Sequence, residues 1–468
     1  MKPGKVTVVG AGLTGALLAL LLAQRGFAVT LYERRSDPRS GRAEAGRSIN
    51  LSLSARGIRP LQQCGVFPRL RPLLIALRGR MVHERSGHPM FQPYGQRPEE
   101  VHYSVGRAAL NRVLTDAAER AGVEVRFGQR CLGLDPGAGR LRFLDGRSAR
   151  RYESAIDTVI AADGAGSVLR ASLAAAGAAL VRIEPLEHDY KEMTLPGVGG
   201  RHVLEPNALH IWPRGGFMLI ALPNPDGSFT LTLFLGRAGA ESFAALSTVT
   251  AAERFFSEQF PDLRGQFAPL LANFHRNPQG QPATVHTTGW HLDGKLLLLG
   301  DAAHAIVPFH GQGMNAGFED CTVFGSLLER CADWQELFGE FERQRRPDTE
   351  AIAHMALENY LEMRDGVRDP VFLRRRQLAF ALEKRFPDRF IPRYSMVMFH
   401  PEISYRDALR RGQRQLAILE ELDRRRTPRG EIDMDLAQAL VSERLPALSG
   451  AARIDGGTDD PTRSLPGS

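Results

Sequence analysis

The chain has 468 residues, of which 43% are hydrophobic and 24% are charged, as is typical of soluble globular proteins with ample material for a core. The net charge is +7, but basic and acidic residues are interspersed along the chain. The arginine runs at 374–376, 410–411 and 424–426 have no interleaved aromatic side chains, which disfavours a nucleic-acid surface.

The cysteines, the apolar runs and the last residues of the chain predict no functional site. Cys64, Cys131, Cys321 and Cys331 follow no metal-ligand spacing, so we expect buried thiols in a reducing cytoplasm and no metal site. No apolar run approaches the ~18 residues of a membrane-spanning helix, so we predict no transmembrane segment. Residues 449–468 are rich in Gly, Asp, Ser and Pro and predict a disordered tail.

Residues 5–34 predict a βαβ unit that binds a dinucleotide. A buried strand at 6–9 is followed by Gly10-Ala-Gly12-Leu-Thr-Gly15, an apolar helix and a second strand that ends at Glu33. Gly10 allows the tight turn, Gly12 lets a pyrophosphate approach the backbone, and Gly15 allows close helix–strand packing. Glu33 would accept a hydrogen bond from a ribose hydroxyl. FAD and NAD fit this unit equally.

The next segment, 40–100, is predicted to be loop-rich. A strand candidate at 78–83 contains Arg80, and a turn signal contains Tyr94. Taken alone, both side chains are most simply surface residues. The segment 104–114 then opens a helix by its apolar periodicity, with Arg107 in the first turn. A cation there opposes the helix dipole, which favours either an anionic partner or a surface position.

Two further buried strands are predicted to end in acids. One ends at Asp163-Gly164, and the other, the leucines at 296–299, ends at Gly300-Asp301. A loop with glycines at 311, 313 and 317 and a helix at 318–328 follow. Glu33, Asp163 and Asp301 are therefore expected together at the carboxyl edge of one sheet, where ligands bind. Asp301 could bond a ribityl hydroxyl, although a helix-capping turn explains this stretch equally well.

The segment 185–290 predicts antiparallel strands, with a β-hairpin formed by 217–222 and 228–235. Both of its faces are apolar. Met218, Ile220 and Leu222 lie on one face of the first strand, while Phe234 shares a face with threonines in the second. The two faces must be covered, one by core and the other by a ligand or by a helix.

The chain is predicted to be helical from Trp334 onward. Met355, Asn359 and Met363 fall on one helix face, so the amide needs partners from the protein or from a ligand. Residues 370–446 predict further helices, including an amphipathic one at 405–425.

The order of these signals resembles the single-FAD-domain aromatic hydroxylases. Five stretches, 186–192, 210–214, 300–321, 355–364 and 394–396, are more specific and resemble the kynurenine 3-monooxygenase family. The resemblance runs from residue 5 to about 400. Eukaryotic members have a hydrophobic C-terminal anchor, and the sequence departs from that pattern, so it is similar to a soluble, bacterial-type member.

The resemblance implies an α/β fold built from interleaved domains. An FAD-binding Rossmann-like domain at 1–180 and 286–350 would be interleaved with an antiparallel-sheet substrate domain at 181–285, to which 45–100 contribute. A C-terminal helical domain would span 351–448. The implied reaction is hydroxylation of L-kynurenine to 3-hydroxykynurenine, in tryptophan catabolism, by O₂, bound FAD and transient NADPH through a C4a-hydroperoxyflavin. This reaction would require no strong protein base and no catalytic side chain, because the aniline nitrogen activates the ring, so the protein would contribute positioning. Both a monomer and a homodimer are compatible with the sequence, and so is NADH as the reductant in place of NADPH.

The resemblance also implies roles for individual residues. Arg80 would pair with the substrate carboxylate. The polar contacts to substrate would come from Tyr94, Asn359 and Tyr394. The substrate ring would lie among Met218, Ile220, Leu222, Phe234, Pro308, Phe309 and Met363. The cofactor would be held by Gly10, Gly12, Gly15, Glu33, Arg107, Asp163, Asp301, Gly311 and Gly313, with backbone amides from Met314 and Asn315. His310 is read as a packed loop histidine.

Two other functions are compatible with the pattern. One is a related flavin hydroxylase acting on a phenolic acid, which would have no particular use for a carboxylate clamp. The other is a non-catalytic binding protein of the FAD-type fold, such as a prenyl-protein chaperone. Such a protein could lose Gly300-Asp301 and the glycine loop, which are present in this chain.

Overall fold

The computed structural model describes residues 1–40, 50–85, 88–135, 139–155, 157–427 and 430–448. The chain divides into two compact units, Met1–Asp369 and Pro370–Ser468. The predicted tail at 449–468 and the start of the segment at 45–100 lie outside the described residues.

The strands of the described residues all lie in the first unit. They are β1 (Lys5–Val9), β2 (Ala28–Glu33), β3 (Asn50–Leu53), β4 (Ile75–Leu77), β5 (Gly79–Val82), β6 (Met90–Pro93), β7 (His102–Gly106), β8 (Glu124–Phe127), β9 (Gln129–Asp135), β10 (Arg140–Asp145), β11 (Arg151–Ala155), β12 (Val159–Ala161), β13 (Leu180–Pro185), β14 (His188–Leu195), β15 (Ala208–Pro213), β16 (Met218–Pro223), β17 (Phe229–Gly236), β18 (Ala283–Thr288), β19 (His291–Leu292) and β20 (Leu296–Leu298).

The helices occur in both units. They are α1 (Leu13–Gln24), α2 (Ala55–Gln63), α3 (Phe67–Leu70), α4 (Arg107–Arg120), α5 (Val168–Ala175), α6 (Val249–Gln259), α7 (Phe267–Arg276), α8 (Asp301–His304), α9 (Gly313–Arg330), α10 (Trp334–Arg364), α11 (Pro370–Arg385), α12 (Arg393–Phe399), α13 (Tyr405–Arg424) and α14 (Met434–Arg444). Short 3-10 turns lie at Arg71–Leu73, Pro261–Gln266, Pro308–His310 and Gly366–Arg368.

A six-stranded sheet of order β19-β20-β12-β1-β2-β8 forms the first layer. All neighbouring strands in it are parallel except β19 and β20. Its strands are apolar on both faces because the sheet is covered by helices, among them the largely buried α1, and by the antiparallel sheet β11-β10-β9, whose Phe143 stacks on Tyr32 of β2. The predicted βαβ unit and the predicted strand of leucines are confirmed.

A second six-stranded sheet has the order β14-β17-β16-β15-β5-β6. Register pairs Met218 with Phe234 and Ile220 with Thr232, which confirms the predicted hairpin and its two faces. The face that carries Leu219 packs into one core with α6 and α7. The opposite face packs against α10 and the turn Pro308–His310. Helices therefore cover one face, and the other face is shared between a helix and a loop.

Several expectations were wrong in detail. The segment 40–100 is not mainly loop among its described residues, since it contains α2, α3 and the strands β3, β4, β5 and β6. Pro60 and the polar side chains of α2 conceal its helical pattern. Residues 104–106 belong to β7, so the predicted helix at 104–114 begins only at Arg107.

The glycine loop is shorter than predicted, because α9 begins at Gly313 rather than at residue 318. Gly317 lies inside the helix, where a Cβ would fall 2.5 Å from Thr14 Oγ1. This glycine therefore serves close helix packing and not loop flexibility. The proposed start of the helical domain at residue 351 lies within α10, whereas the chain divides after Asp369.

The second unit is helical over its described residues. Leu382 of α11, Ile418 and Leu422 of α13 and Val441 of α14 share one buried apolar cluster. Within the described parts of both units, no helix is long and apolar enough to cross a membrane. All the cysteines are free thiols and buried, as predicted.

Candidate active site

The carboxyl ends of β1, β12 and β20 lie side by side in the parallel sheet, next to the end of β2. The segments that follow these strands are the Gly10 turn, Asp163-Gly164 and Gly300-Asp301, and β2 itself ends at Glu33. The expected gathering of glycine turns and acids at one sheet edge is therefore present.

The glycines of the first turn differ in what they permit. Gly10 has φ +104, and a Cβ there would lie 2.3 Å from the Ala162 carbonyl oxygen. A Cβ on Gly15 would lie 2.0 Å from the Gly10 carbonyl oxygen. At Gly12, by contrast, a Cβ would meet no described atom within 4 Å. Gly12 is also the N-cap of α1 and provides no side-chain cap, so the first amides of this helix lack a capping acceptor and suit an anion.

Two acids of this edge are held by backbone amides. Glu33 accepts hydrogen bonds from the amides of Ala11 and Arg35, both at 2.9 Å, which fixes its carboxylate beside the glycine turn. Asp163 accepts from Ser167 Oγ at 2.6 Å and from the Val168 amide at 2.9 Å, at the start of α5. Burial raises the pKa of Asp163, although these hydrogen bonds oppose the shift. Its carboxylate organises the loop, and its contact with a cofactor stays a prediction.

Two charged side chains at this edge have no partner among the described residues. Asp301 is the half-buried first residue of α8 and makes no side-chain hydrogen bond or ion pair there. Arg107, the first residue of α4, is exposed and likewise unpaired within the described chain. One anion and one cation are thus available to a ligand.

The loop before α9 is fixed to β3. Gly311 has φ +65, and a Cβ there would lie 2.8 Å from Ser52 Cβ. Asn315 accepts from the Ser54 amide at 2.9 Å and donates to the carbonyl oxygens of Ser52 and Gly311, both at 2.8 Å. Because the Asn315 side chain is fully hydrogen-bonded within the protein, Asn315 can contact a ligand only through its backbone, as predicted for it and Met314. Gln312, the N-cap of α9, makes no capping bond with its side chain.

The apolar side of the site lies on the second sheet. Met218, Phe234, Phe309 and Met363 belong to one buried cluster, with Ile220 half-buried against it. The rings of Phe234 and Phe309 are 4.7 Å apart. The structure does not bring every predicted side chain into this cluster. Leu222 is half-buried outside it, and Pro308 is exposed.

Arg80 lies on the same sheet face and is almost fully buried. Its Nη2 donates to Glu362 Oε1 at 2.8 Å, and its Nε donates to Gln92 Oε1 at 3.1 Å. Gln92 in turn donates to the Val367 carbonyl at 3.2 Å. A buried cation and its counter-ion thus stand beside the apolar cluster, because Glu362 directly precedes Met363 on α10.

The other polar residues predicted to contact the substrate are Asn359, Tyr94 and Tyr394, and each has contacts within the protein. Asn359 donates to the Phe309 carbonyl oxygen at 2.7 Å and so joins α10 to the loop. Tyr94 is buried, with its ring 4.7 Å from that of His102. Burial and the neighbouring His310 lower the pKa of His102 to about 3, so this ring is neutral. Tyr394 lies on α12 in the second unit, where its ring contacts Phe399.

Sequence reasoning missed several residues of the site. Glu362 was detectable, because it follows Asn359 by one helical turn and adjoins Met363 on a helix that was predicted. Gln92 and Thr14 gave no signal, since their roles come from contacts between distant segments. Thr14 lies against both Gly300 and Gly317 and so joins the first glycine turn to the last.

Comparisons with known proteins agree with this geometry. The family described as "FAD binding domain" matches residues 4–188 and 280–355. The kynurenine 3-monooxygenase of Xanthomonas oryzae pv. oryzae strain MAFF 311018 is 46% identical over 452 residues, 96% of this chain and 99% of that protein. The kynurenine 3-monooxygenase of Xanthomonas axonopodis pv. citri strain 306 is 47% identical over 447 residues, 95% and 98% of the two chains.

A solved structure supports the fold alone. The tetrameric form of 2-methyl-3-hydroxypyridine-5-carboxylic acid oxygenase superimposes with a TM-score of 0.62 at 21% identity, covering 79% of this chain and 95% of that chain.

Proposed function

The chain belongs to the kynurenine 3-monooxygenase family of flavoprotein monooxygenases, and on this premise we propose that it hydroxylates L-kynurenine to 3-hydroxykynurenine with FAD, NADPH and O₂. Kynurenine is a zwitterion that carries a neutral aromatic ring. The observation that carries the proposal is the ion pair between the buried Arg80 and the half-buried Glu362, beside the apolar cluster of Met218, Phe234 and Phe309. This arrangement offers a cation, an anion and an apolar wall to one small amino acid.

The residues at the edge of the parallel sheet fit FAD. The uncapped start of α1 beside Gly12 suits the pyrophosphate, and Glu33 suits the ribose. Asp301 and Arg107, which have no partner in the described chain, are available to the ribityl chain and to other polar groups of the cofactor. When bound and reduced, FAD supplies the activation of O₂ that amino-acid side chains lack.

Arg80 and Glu362 orient the substrate. A guanidinium binds a carboxylate with two parallel hydrogen bonds, so Arg80 takes the substrate carboxylate. Glu362 is 27% exposed at its side chain and takes the ammonium group, so that the substrate enters between two charges that otherwise neutralise each other. Tyr94 and Asn359 are proposed to complete the polar contacts.

The apolar cluster fixes the ring and excludes water. Phe309 lies at the junction between this cluster and the loop before α9, and Asn359 holds its carbonyl oxygen. The substrate ring is proposed to lie among Met218, Ile220, Leu222, Phe234, Pro308, Phe309 and Met363. The aniline nitrogen of the substrate already raises the electron density of the reacting carbon, so the protein contributes positioning and not proton transfer.

NADPH is proposed as a transient co-substrate, because the glycine turn at 10–15 is taken by FAD in this scheme. The test is the rate of NADPH oxidation by the FAD-loaded protein with and without L-kynurenine, followed by chromatography of the product. We expect stimulation by kynurenine and a product that co-elutes with 3-hydroxykynurenine. Stimulation by 4-hydroxybenzoate but not by kynurenine would instead identify a phenolic-acid hydroxylase.

A further inference from the structure

A buried carboxylate behind the Gly300 turn is not used by the proposed reaction. Asp320 lies on α9 with a fully buried side chain. Its Oδ2 accepts from the Gly300 amide at 3.0 Å and lies 2.7 Å from His304 Nε2, while its Oδ1 accepts from Arg345 Nε at 2.7 Å. One carboxylate thus forms hydrogen bonds with the Gly300 turn, with the short helix α8 and with the long helix α10.

The charge state of Asp320 is defined by its neighbours. Burial alone would raise its pKa, but the charges of His304 and Arg345 lower the pKa to about 2. An ionised carboxylate can only accept hydrogen bonds, so the nitrogen of His304 that faces it must donate. In its charged form Asp320 thus accepts all three hydrogen bonds.

Arg345 extends this contact to a second ligand-facing segment. Its Nη1 donates to Glu319 at 2.7 Å, and Glu319 also accepts from Arg56 Nη1 at 2.6 Å. Burial opposes ionisation of Glu319, but Arg345 and Arg56 hold its pKa below the usual value. Arg56 lies in the first turn of α2, two residues after Ser54, whose amide donates to Asn315. The buried charges thus connect the Gly300 turn with the loop before α9.

Gly300 has a conformation that needs such support. Its φ of +62 and ψ of −142 are accessible to glycine and costly for other residues. Thr14 leaves little room for a side chain, since a Cβ on Gly300 would lie 3.1 Å from Thr14 Cγ2. This turn decides where the carboxylate of Asp301 points, and the only acceptor of the Gly300 amide among the described residues is Asp320.

We propose that Asp320 is a positioning residue of the FAD site, which holds the Gly300–Asp301 turn in its binding conformation before FAD arrives. The inference deepens the flavin half of the proposed function and does not depend on kynurenine as substrate. A turn that is already ordered loses little conformational entropy when FAD binds, so its preorganisation increases the affinity for FAD.

The first test compares Asp320→Asn with the matched control Asp348→Asn. Asp348 Oδ2 lies 3.7 Å from Arg345 Nη1 in the same buried region, and no contact joins it to Gly300 in the described structure. Flavin fluorescence during titration of each apoprotein gives the Kd for FAD, at a temperature where circular dichroism shows both variants folded. We expect an increase of about tenfold or more for Asp320→Asn and less than about threefold for the control.

A folded Asp320→Asn protein that binds FAD as tightly as the control would overturn the proposal, because Asp320 would then contribute only to the fold. The parent apoprotein provides a second test, which does not require the variant to fold. Residue-resolved hydrogen exchange should show the Gly300 amide protected by about 100-fold or more without FAD. Rapid exchange that becomes slow only after FAD is added would show that the cofactor itself orders the turn, contrary to the proposal. Tight FAD binding without kynurenine turnover would contradict the proposed substrate and leave this inference intact.

Discussion

The two sides of the site differ in whether their charged side chains already have partners within the protein. At the edge of the parallel sheet, Asp301 and Arg107 have no partner among the described residues, and α1 begins without a side-chain cap. On the antiparallel sheet, Arg80 is already paired with Glu362. A cofactor can therefore add hydrogen bonds without breaking any, whereas a substrate must replace an existing ion pair. The first arrangement favours tight, lasting binding, and the second favours discrimination between ligands.

The largest effect is expected from removal of the cation on the substrate side. In Arg80→Ala, Glu362 keeps its charge without its buried partner, and the substrate carboxylate loses its counter-ion. We expect kynurenine binding to weaken by about 2–4 kcal/mol, or roughly 30- to 1,000-fold in Kd. Spectral titration of the flavin measures this change. Since the cofactor side is untouched, the FAD content should equal that of the parent, and unchanged kynurenine affinity would disprove the clamp.

A pair of glycine variants tests the cofactor side. In Gly15→Ala the new Cβ would lie 2.0 Å from a backbone oxygen, so the apoprotein should lose about 2 kcal/mol or more of stability. In Gly12→Ala the Cβ meets open space, so the apoprotein Tm should stay within about 2 °C while the Kd for FAD rises about tenfold. Thermal unfolding and FAD titration separate the two effects. Equal loss of Tm in both variants would show that Gly12 is not kept small for a ligand.

Glu362→Gln tests the anionic member of the ion pair. The variant removes the group proposed to bind the ammonium, and Arg80 keeps its charge. The kcat/KM ratio between L-kynurenine and 4-(2-aminophenyl)-4-oxobutanoate, which lacks the ammonium, should fall about tenfold, equivalent to about 1.4 kcal/mol. Conservation of this ratio would mean that Glu362 does not select the zwitterion.

The smallest effect is expected at Leu222, which was predicted to line the site but lies outside the buried cluster. Leu222→Ala should change the KM for kynurenine by less than about threefold, whereas Met218→Ala, inside the cluster, should raise it by about tenfold. A larger effect at Leu222 than at Met218 would place the substrate ring further along the sheet than proposed.

The cofactor edge was largely predictable because its signals are local. A strand, a glycine turn, a helix and Glu33 occur in one continuous stretch, and the rule for parallel strands then gathers Asp163 and Asp301 at the same edge. The face of the hairpin was also predictable, since alternation fixes which side chains of β16 and β17 lie together.

The partners of the charged residues could not be predicted, because they come from distant segments. Nothing local links Gln92 to Val367, or Asp320 to the Gly300 amide. Gly317 was misinterpreted for the same reason, since the side chain that requires a glycine there is Thr14. Local chemistry thus predicts the candidate ligand-facing residues, whereas their supporting contacts come from tertiary packing.

The central claim is that one aromatic amino acid is held between Arg80 and Glu362 and is hydroxylated with oxygen from O₂ by means of FAD. The most direct test is a reaction of the FAD-loaded protein with L-kynurenine, NADPH and ¹⁸O₂, followed by mass spectrometry of the product. The account predicts 3-hydroxykynurenine that carries one ¹⁸O atom. Oxidation of NADPH that yields hydrogen peroxide and leaves the kynurenine unchanged would contradict it.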